Sequence, residues 1–254
     1  MRLTTHRVPG FTTSATARLI GRVVDRPKAL GASGLARLYL ETGPESMGGV
    51  HEVLAEGAVA DFCLRHGEVG ASIQLQGGLR SDAEQREDGL WRWRSTLFAD
   101  RMRRLPDGPE VTPFNEVTLQ GYACTDIRVC RPFSNQVHPF WLEAVERAYI
   151  EIDGAEGEEH ILVALSEHLG GQVKHRIVLN TPVIIRGTLL SGTNRDAAGR
   201  SWRVSAVDAR SIERRGGVRD LPALEALDGP GCSATEIELL WAASPSGPKQ
   251  ESID

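Results

Sequence analysis

The chain has 254 residues, of which 41% are hydrophobic, 25% are charged and 6% are aromatic, and its formal net charge is -5 at pH 7. This composition is typical of soluble globular proteins, and the length allows one large or two small domains. The sequence has no long uncharged apolar run, which excludes a transmembrane helix, so no membrane partner is expected. The N-terminal residues lack the pattern of a signal peptide, and the expected location is the cytoplasm.

Two segments of the chain resemble each other when they are aligned without a gap. Residues 73–105 match residues 183–215, and the identical pairs include Gly77 and Gly187, Leu79 and Leu189, Ser81 and Ser191, Gly89 and Gly199, Ser95 and Ser205, and Ala99 and Ala209. Each segment reads as a β-strand, a polar loop with a late glycine, and a second strand of alternating polarity. The repeat therefore predicts two long β-hairpins.

The residues before each hairpin also match in kind. The first copy shows strand patterns at 18–24, 35–42 and 50–55, followed by a helix pattern at 58–67. The second copy shows strand patterns at 117–124, 138–152 and 160–167, followed by a helix pattern within 168–179. Five strands with a helix between the third and fourth are the order of an OB-fold, a small Greek-key barrel. The alternative is one larger barrel or sandwich of about eight to ten strands.

The predicted fold class is therefore all-β, with tandem OB-folds. The segment 106–115 contains three prolines and has no apolar period, so it is interpreted as a linker. The predicted units are an N-terminal arm (1–16), a first OB-fold (17–105), the linker (106–115), a second OB-fold (116–215) and an acidic, partly disordered tail (216–254).

Several of these segments resemble the bacterial single-stranded DNA-binding protein family. The runs GASIQLQGGLRS and DGLWRWRSTLFADRM, with TPVIIRGTLLSG and AAGRSWRVSAV in the second copy, look like that family's fourth strand, hairpin and fifth strand. The runs RLIGRVVDRP and NEVTLQGYACTD look like its first strand. The resemblance implies an OB-fold protein that binds single-stranded DNA without sequence preference. It also implies a homodimer, because family members assemble four OB-folds.

The sequence departs from the family pattern at two kinds of position. The family places one aromatic residue just before its third strand and another near the end of that strand, where this chain has Val50, Glu56, His160 and Ser166. The family's tail ends in an acidic tip with Pro-Phe, whereas this chain ends in KQESID. The tail nevertheless contains two segments of helical spacing, 219–229 and 233–243, and it could recruit replication or repair proteins or compete with DNA.

Binding of single strands needs aromatic faces that stack on bases and cations that follow the phosphates. In the first hairpin, strand alternation would place the two tryptophans of DGLWRWR on one face and its two arginines on the other. The candidate residues in this copy are Trp91, Trp93, Arg92, Arg94, Arg80, Arg86 and Arg101. The alternative is that one or both tryptophans are buried in the barrel or in a dimer interface.

The second copy offers a similar but smaller set of candidates, namely Trp202, Arg203, Arg200 and Arg186, with Trp141 outside the hairpin. Trp202 takes the place of Trp93 only if its loop is one residue shorter, and otherwise it faces the other way. Phe140 and Trp141 are neighbours, so one is expected in the core and the other outside.

No motif for catalysis, metal or cofactor binding stands out. The sequence lacks GxGxxG, GxxxxGK[ST], HExxH and GxSxG patterns, and its four cysteines form no CxxC pair, so neither an enzyme, a metal site nor a cofactor is predicted. The favoured function is single-stranded DNA binding in replication, recombination or repair. The alternative is an OB-fold scaffold or dimerisation subunit of a DNA-processing complex, and RNA binding would use the same surfaces.

Overall fold

A computed structural model describes residues 11–31, 34–43, 49–85, 91–106, 108, 111–123, 128–130, 145–154, 157–173, 175–178, 181–195 and 201–215. The strands are β1 Ser14–Leu30, β2 Leu35–Glu41, β3 Val50–Glu56, β4 Ser72–Gln85, β5 Trp91–Arg104, β6 Phe114–Ala123, β7 Arg128–Cys130, β8 Val145–Gly154, β9 Gly157–Leu165, β10 Pro182–Arg195 and β11 Ser201–Arg214. The helices are α1 Gly57–His66 and α2 Glu167–Val173. None of the described helices is long and apolar enough to cross a membrane.

The strands form because apolar residues recur at every second position. In β2, for example, Ala36, Leu38 and Leu40 are buried. Arg37 and Tyr39 alternate with them and lie on the outer side, half-buried. This period of two suits a strand with one face on the core, and it would scatter the same residues around a helix.

The first half of the chain closes into a five-stranded barrel. β1 pairs with β2, β2 with β3, and β4 with both β5 and β1, and all of these pairs are antiparallel. The ring is closed by a parallel pair between β3 and β5. The helix α1 lies between β3 and β4 in the sequence, so the predicted OB-fold order is confirmed.

The second half repeats this ring of pairings. β6 pairs with β8 and β10, β8 with β9, and β10 with β11, while a parallel pair between β9 and β11 completes the ring. The helix α2 again separates the third and fourth strands of the ring. The short strand β7, which the sequence patterns do not predict, adds to β8 outside the ring. Two rings of five strands replace the single larger barrel that was the alternative, while the boundaries of the units stay predictions.

The two long hairpins bend at equivalent glycines. The β4–β5 register shifts between Gln76 and Gly77, and the β10–β11 register shifts between Arg186 and Gly187. A Cβ atom at Gly77 would clash with the carbonyl oxygen of Phe98, and one at Gly187 with that of Asp208. Only glycine therefore allows the strands to approach this closely at the bulges.

The two rings are joined into one sheet by their first strands. Residues Ser14 to Ile20 of β1 pair antiparallel with Phe114 to Gln120 of β6. The strands therefore run β5, β4, β1, β6, β10 and β11 side by side across both halves.

A buried polar network also connects the halves. The ring of His51, which is 0% exposed, makes hydrogen bonds of 2.8 Å to Thr42 Oγ1 through Nε2 and to Ser191 Oγ through Nδ1. Asn115, near the start of β6, accepts a hydrogen bond from the amide of Leu189 at 2.9 Å and donates one to its carbonyl at 2.8 Å. The pair of His51 with Ser191 thus crosses between the two rings, as does the 3.3 Å hydrogen bond from Asn115 Nδ2 to Thr42 Oγ1, whereas the pair of Asn115 with Leu189 lies within the second ring.

Candidate nucleic-acid interface

The first predicted site lies at the far end of the β4–β5 hairpin. The pairing of these strands is continuous from the bulge to the pair of Gln85 with Trp91. Trp91, Arg92, Trp93 and Arg94 are the first four residues of β5, so the predicted hairpin is confirmed. Their side chains, and all of Arg86, lie outside the described part of the structure, and their contacts with DNA stay predictions.

The second hairpin has the same register as the first. Arg195 pairs with Ser201 as Gln85 pairs with Trp91, so five residues separate the strands in both copies. Trp202 therefore takes the register position of Arg92 and not that of Trp93. The side chains of Trp202 and Arg203, and the whole of Arg200 and Trp141, lie outside the described part of the structure.

Three predicted arginines have described side chains, and they lie in different surroundings. Arg101 is exposed on β5, opposite Gln76. Arg186 is exposed on β10 and forms a 2.9 Å ion pair with Glu213. The guanidinium of Arg80 lies over the ring of Phe98, with Cζ 4.2 Å from the ring centroid. Of these three, only Arg80 has a described contact with an aromatic ring.

A second arginine and aromatic pair lies on β2, where sequence reasoning assigned no site. Arg37 Cζ is 5.6 Å from the centroid of the Tyr39 ring. Both Tyr39 and Phe98 are half-buried on the outer side of their strands. A signal was present in the sequence, because in LARLYLE and STLFADR these aromatics alternate with the buried apolar residues of their strands.

The pairing of β2, β3 and β5 brings these residues to one surface. Arg37 pairs with Leu54 across β2 and β3, and Leu54 pairs with Phe98 across β3 and β5. With neighbouring strands about 4.8 Å apart, the backbones of Arg37 and Phe98 are about 10 Å apart. We call this surface the arginine–aromatic patch, which consists of Arg37, Tyr39, Leu54, Arg80 and Phe98.

Two carboxylates lie beside the patch. Arg37 Nη1 is 3.8 Å from Glu52 Oε1, and Arg80 Nη1 is 3.8 Å from Glu56 Oε1. The Arg80 and Glu56 side chains are 45% and 58% exposed, so solvent screens their attraction and the ion pair contributes little stability. A phosphate group can therefore replace the Glu56 carboxylate beside Arg80 with little loss of free energy.

The chemistry of the patch suits a flat anionic ligand. Aromatic rings and guanidinium planes both stack on nucleic-acid bases, and a guanidinium also donates hydrogen bonds to phosphate oxygens. Among the described residues no cluster of three or more His, Cys, Asp or Glu could hold a metal ion. Cys63 is buried, and desolvation raises the pKa of its thiol to about 11, so this thiol is not a nucleophile at neutral pH.

The closed five-stranded ring and its intervening helix define an OB-fold protein. The fold is similar to that of the single-stranded DNA-binding protein from Thermus aquaticus. A deletion variant of that protein aligns at 19% identity and a TM-score of 0.60, over 84% of this chain and 99% of the other. The wild-type protein aligns at 19% identity and a TM-score of 0.59, over 82% of this chain and 97% of the other. No protein-family description and no curated protein sequence matches this chain.

Proposed function

We propose that the protein binds single-stranded DNA with little sequence preference and catalyses no reaction. The observation that carries this proposal is the arginine–aromatic patch on the outer face of β2, β3 and β5, because OB-folds bind oligonucleotides on the face of strands 2 and 3. Support also comes from the shared fold of the Thermus aquaticus protein, whose name records single-stranded DNA binding.

In this proposal, aromatic rings stack on bases and arginines contact the phosphates. Tyr39 and Phe98 supply the rings on the barrel, while Trp91 and Trp93 extend the path along the hairpin. Stacking on an aromatic ring contributes about 1–3 kcal/mol per base and does not depend on which base is present. Binding by this mode serves DNA replication, recombination or repair, and the proposed location is the cytoplasm.

The proposal includes a homodimer, which would bring four OB-folds together. On the outer face of the continuous sheet, Phe114 is 39% exposed and pairs with the half-buried Ile20, so this pair is a candidate contact for such an assembly. The acidic tail, residues 216–254, is proposed to recruit replication or repair proteins. Sedimentation of the full chain, with and without this tail, tests the dimer.

The test of DNA binding is a titration of dye-labelled oligothymidine, followed by fluorescence anisotropy and by quenching of tryptophan emission. Binding that weakens as salt rises, together with quenching, is the expected result, because phosphate contacts release counterions. A duplex of the same length is the control and should bind more weakly. No binding at low salt would rule the proposal out.

The second candidate function is an OB-fold scaffold or dimerisation subunit of a DNA-processing complex. The net charge of -5 favours it, and so do Glu52 and Glu56, which lie beside the two patch arginines. This function predicts no quenching and no binding of oligothymidine. Substitution of Trp91 and Trp93 by alanine would then impair folding or assembly instead of DNA binding.

A further inference from the structure

The strand registers of the two rings match residue by residue. Tyr39 pairs with Glu52 in the first ring, and Tyr149 pairs with Leu162 in the second. Leu54 pairs with Phe98, and Ala164 pairs with Asp208. Because both rings use the same pairings, each position of β2 to β5 has a structural counterpart in the second ring 110 residues later, while β6 follows β1 at an offset of 100 residues.

The counterpart of the arginine–aromatic patch has a different chemistry. Phe98 is replaced by Asp208, and Arg80, which pairs with Thr96, is replaced by Leu190, which pairs with Ala206. Leu54 is replaced by the small Ala164. Arg147 and Tyr149 take the positions of Arg37 and Tyr39, so the sequence retains one of the two arginine–aromatic pairs.

The replacement of Phe98 by Asp208 affects both contacts that a nucleic-acid strand needs, which are stacking on its bases and attraction of its phosphates. A ring that can stack on a base is lost, and a carboxylate that repels phosphate takes its position. Asp208 is partly buried, and desolvation raises its pKa, an effect that the charge of Arg210 opposes. An aliphatic side chain at the position of Arg80 removes the cation as well.

We infer that the two OB-folds of the chain are unequal, and that the first barrel carries the principal single-stranded DNA site, with Phe98 and Arg80 at its centre. This inference rests on the proposed function. Phe98 and the Arg80 guanidinium form the platform for one base, and Arg80 leaves Glu56 to contact the adjacent phosphate. The corresponding face of the second barrel, with Asp208 at its centre, does not hold the strand.

The first experiment compares equivalent substitutions in the two barrels of the full chain. Affinity for a dye-labelled oligothymidine of about eight nucleotides is measured by anisotropy, because one OB-fold covers about 4–16 nucleotides. Phe98→Ala should weaken binding about 5- to 150-fold, which corresponds to the loss of one stacked base. Asp208→Ala, the matched change in the second barrel, should leave the affinity unchanged within twofold or improve it.

A conservative variant controls for misfolding, and a second matched pair of substitutions compares the two barrels. Phe98→Leu retains an apolar side chain but has no aromatic face, so it should weaken binding while the thermal midpoint stays near that of the wild type. Tyr39→Ala should weaken binding more than Tyr149→Ala, since these tyrosines are equivalent by register. Calorimetric titration should give one short oligonucleotide per chain.

The outcomes separate this inference from the proposed function. If the wild-type chain binds oligothymidine but Phe98→Ala and Arg80→Ala stay within twofold of its affinity, the inference is wrong and the function stands. Equal losses for Tyr39→Ala and Tyr149→Ala, or two equivalent short oligonucleotides per chain, also overturn it. Failure of the wild-type chain to bind at low salt overturns both.

Discussion

Asn115 joins β6 to β10 within the second barrel through a pair of hydrogen bonds that resembles a piece of sheet. The β6–β10 ladder ends at the pair of Val117 with Gly187, so β6 offers no backbone partner to Leu189. The Asn115 side chain supplies both partners instead, since Oδ1 accepts from the Leu189 amide and Nδ2 donates to the Leu189 carbonyl. Asn115→Ala would leave both backbone groups unpaired at a buried residue.

The expected loss follows from these two groups. An unpaired buried donor or acceptor costs about 1–3 kcal/mol, and the hydrogen bonds here are partly buried, so Asn115→Ala should lower the free energy of unfolding by about 2–4 kcal/mol. For a chain of this size the thermal midpoint should fall by about 4–15 °C. Urea unfolding followed by circular dichroism, together with calorimetry, measures both quantities.

The control is Gln76→Ala, a change at an exposed position of β4, which should alter stability by less than about 0.5 kcal/mol. If Asn115→Ala and Gln76→Ala unfold at the same urea concentration, the pair of hydrogen bonds between Asn115 and Leu189 does not stabilise the second barrel.

Three other predictions concern single positions. Burial raises the pKa of Asp208, so the folded chain binds the Asp208 proton more tightly than the unfolded chain does. The stability gained from that proton is therefore lost as pH rises through the folded-state pKa. Asp208→Asn should therefore raise the thermal midpoint at neutral pH, and the gain should vanish in melts at acid pH. Gly77→Ala should destabilise the chain by more than about 2 kcal/mol in urea unfolding, because its Cβ meets backbone, whereas Gly192→Ala meets open space and should be tolerated. Glu56→Gln should tighten oligothymidine binding in anisotropy titrations, most clearly at low salt, since it frees Arg80; unchanged affinity would mean that the ion pair does not compete with DNA.

Much of the fold could be predicted from local patterns. The period-two runs predicted the strands of both rings, and the helix pattern at 58–67 corresponds to α1, Gly57–His66. The gapless repeat left the register of the second hairpin open between loops of equal length and a loop one residue shorter, and the structure has loops of equal length. The short strand β7 was missed, since three residues are too few for a periodic signal.

The candidate site was predicted less completely. The arginine–aromatic patch uses Arg37, Leu54 and Phe98, which are distant in the sequence and become neighbours only through the β2–β3 and β3–β5 pairings. The run WRWR, in which tryptophan and arginine alternate, favoured the hairpin as the predicted DNA site. Phe98 was not predicted, because its position in the strand indicates an outward-facing aromatic ring but not the Arg80 guanidinium that lies over it.

The sequence by itself determined which segments are strands, which face of each strand is apolar and where glycine permits a bulge, because these properties depend on neighbouring residues along one strand. Only the tertiary structure decided that β1 pairs with β6 and that Asn115 completes the sheet beside Leu189. Those features arise from pairings between distant segments, whose register depends on closing both rings at once.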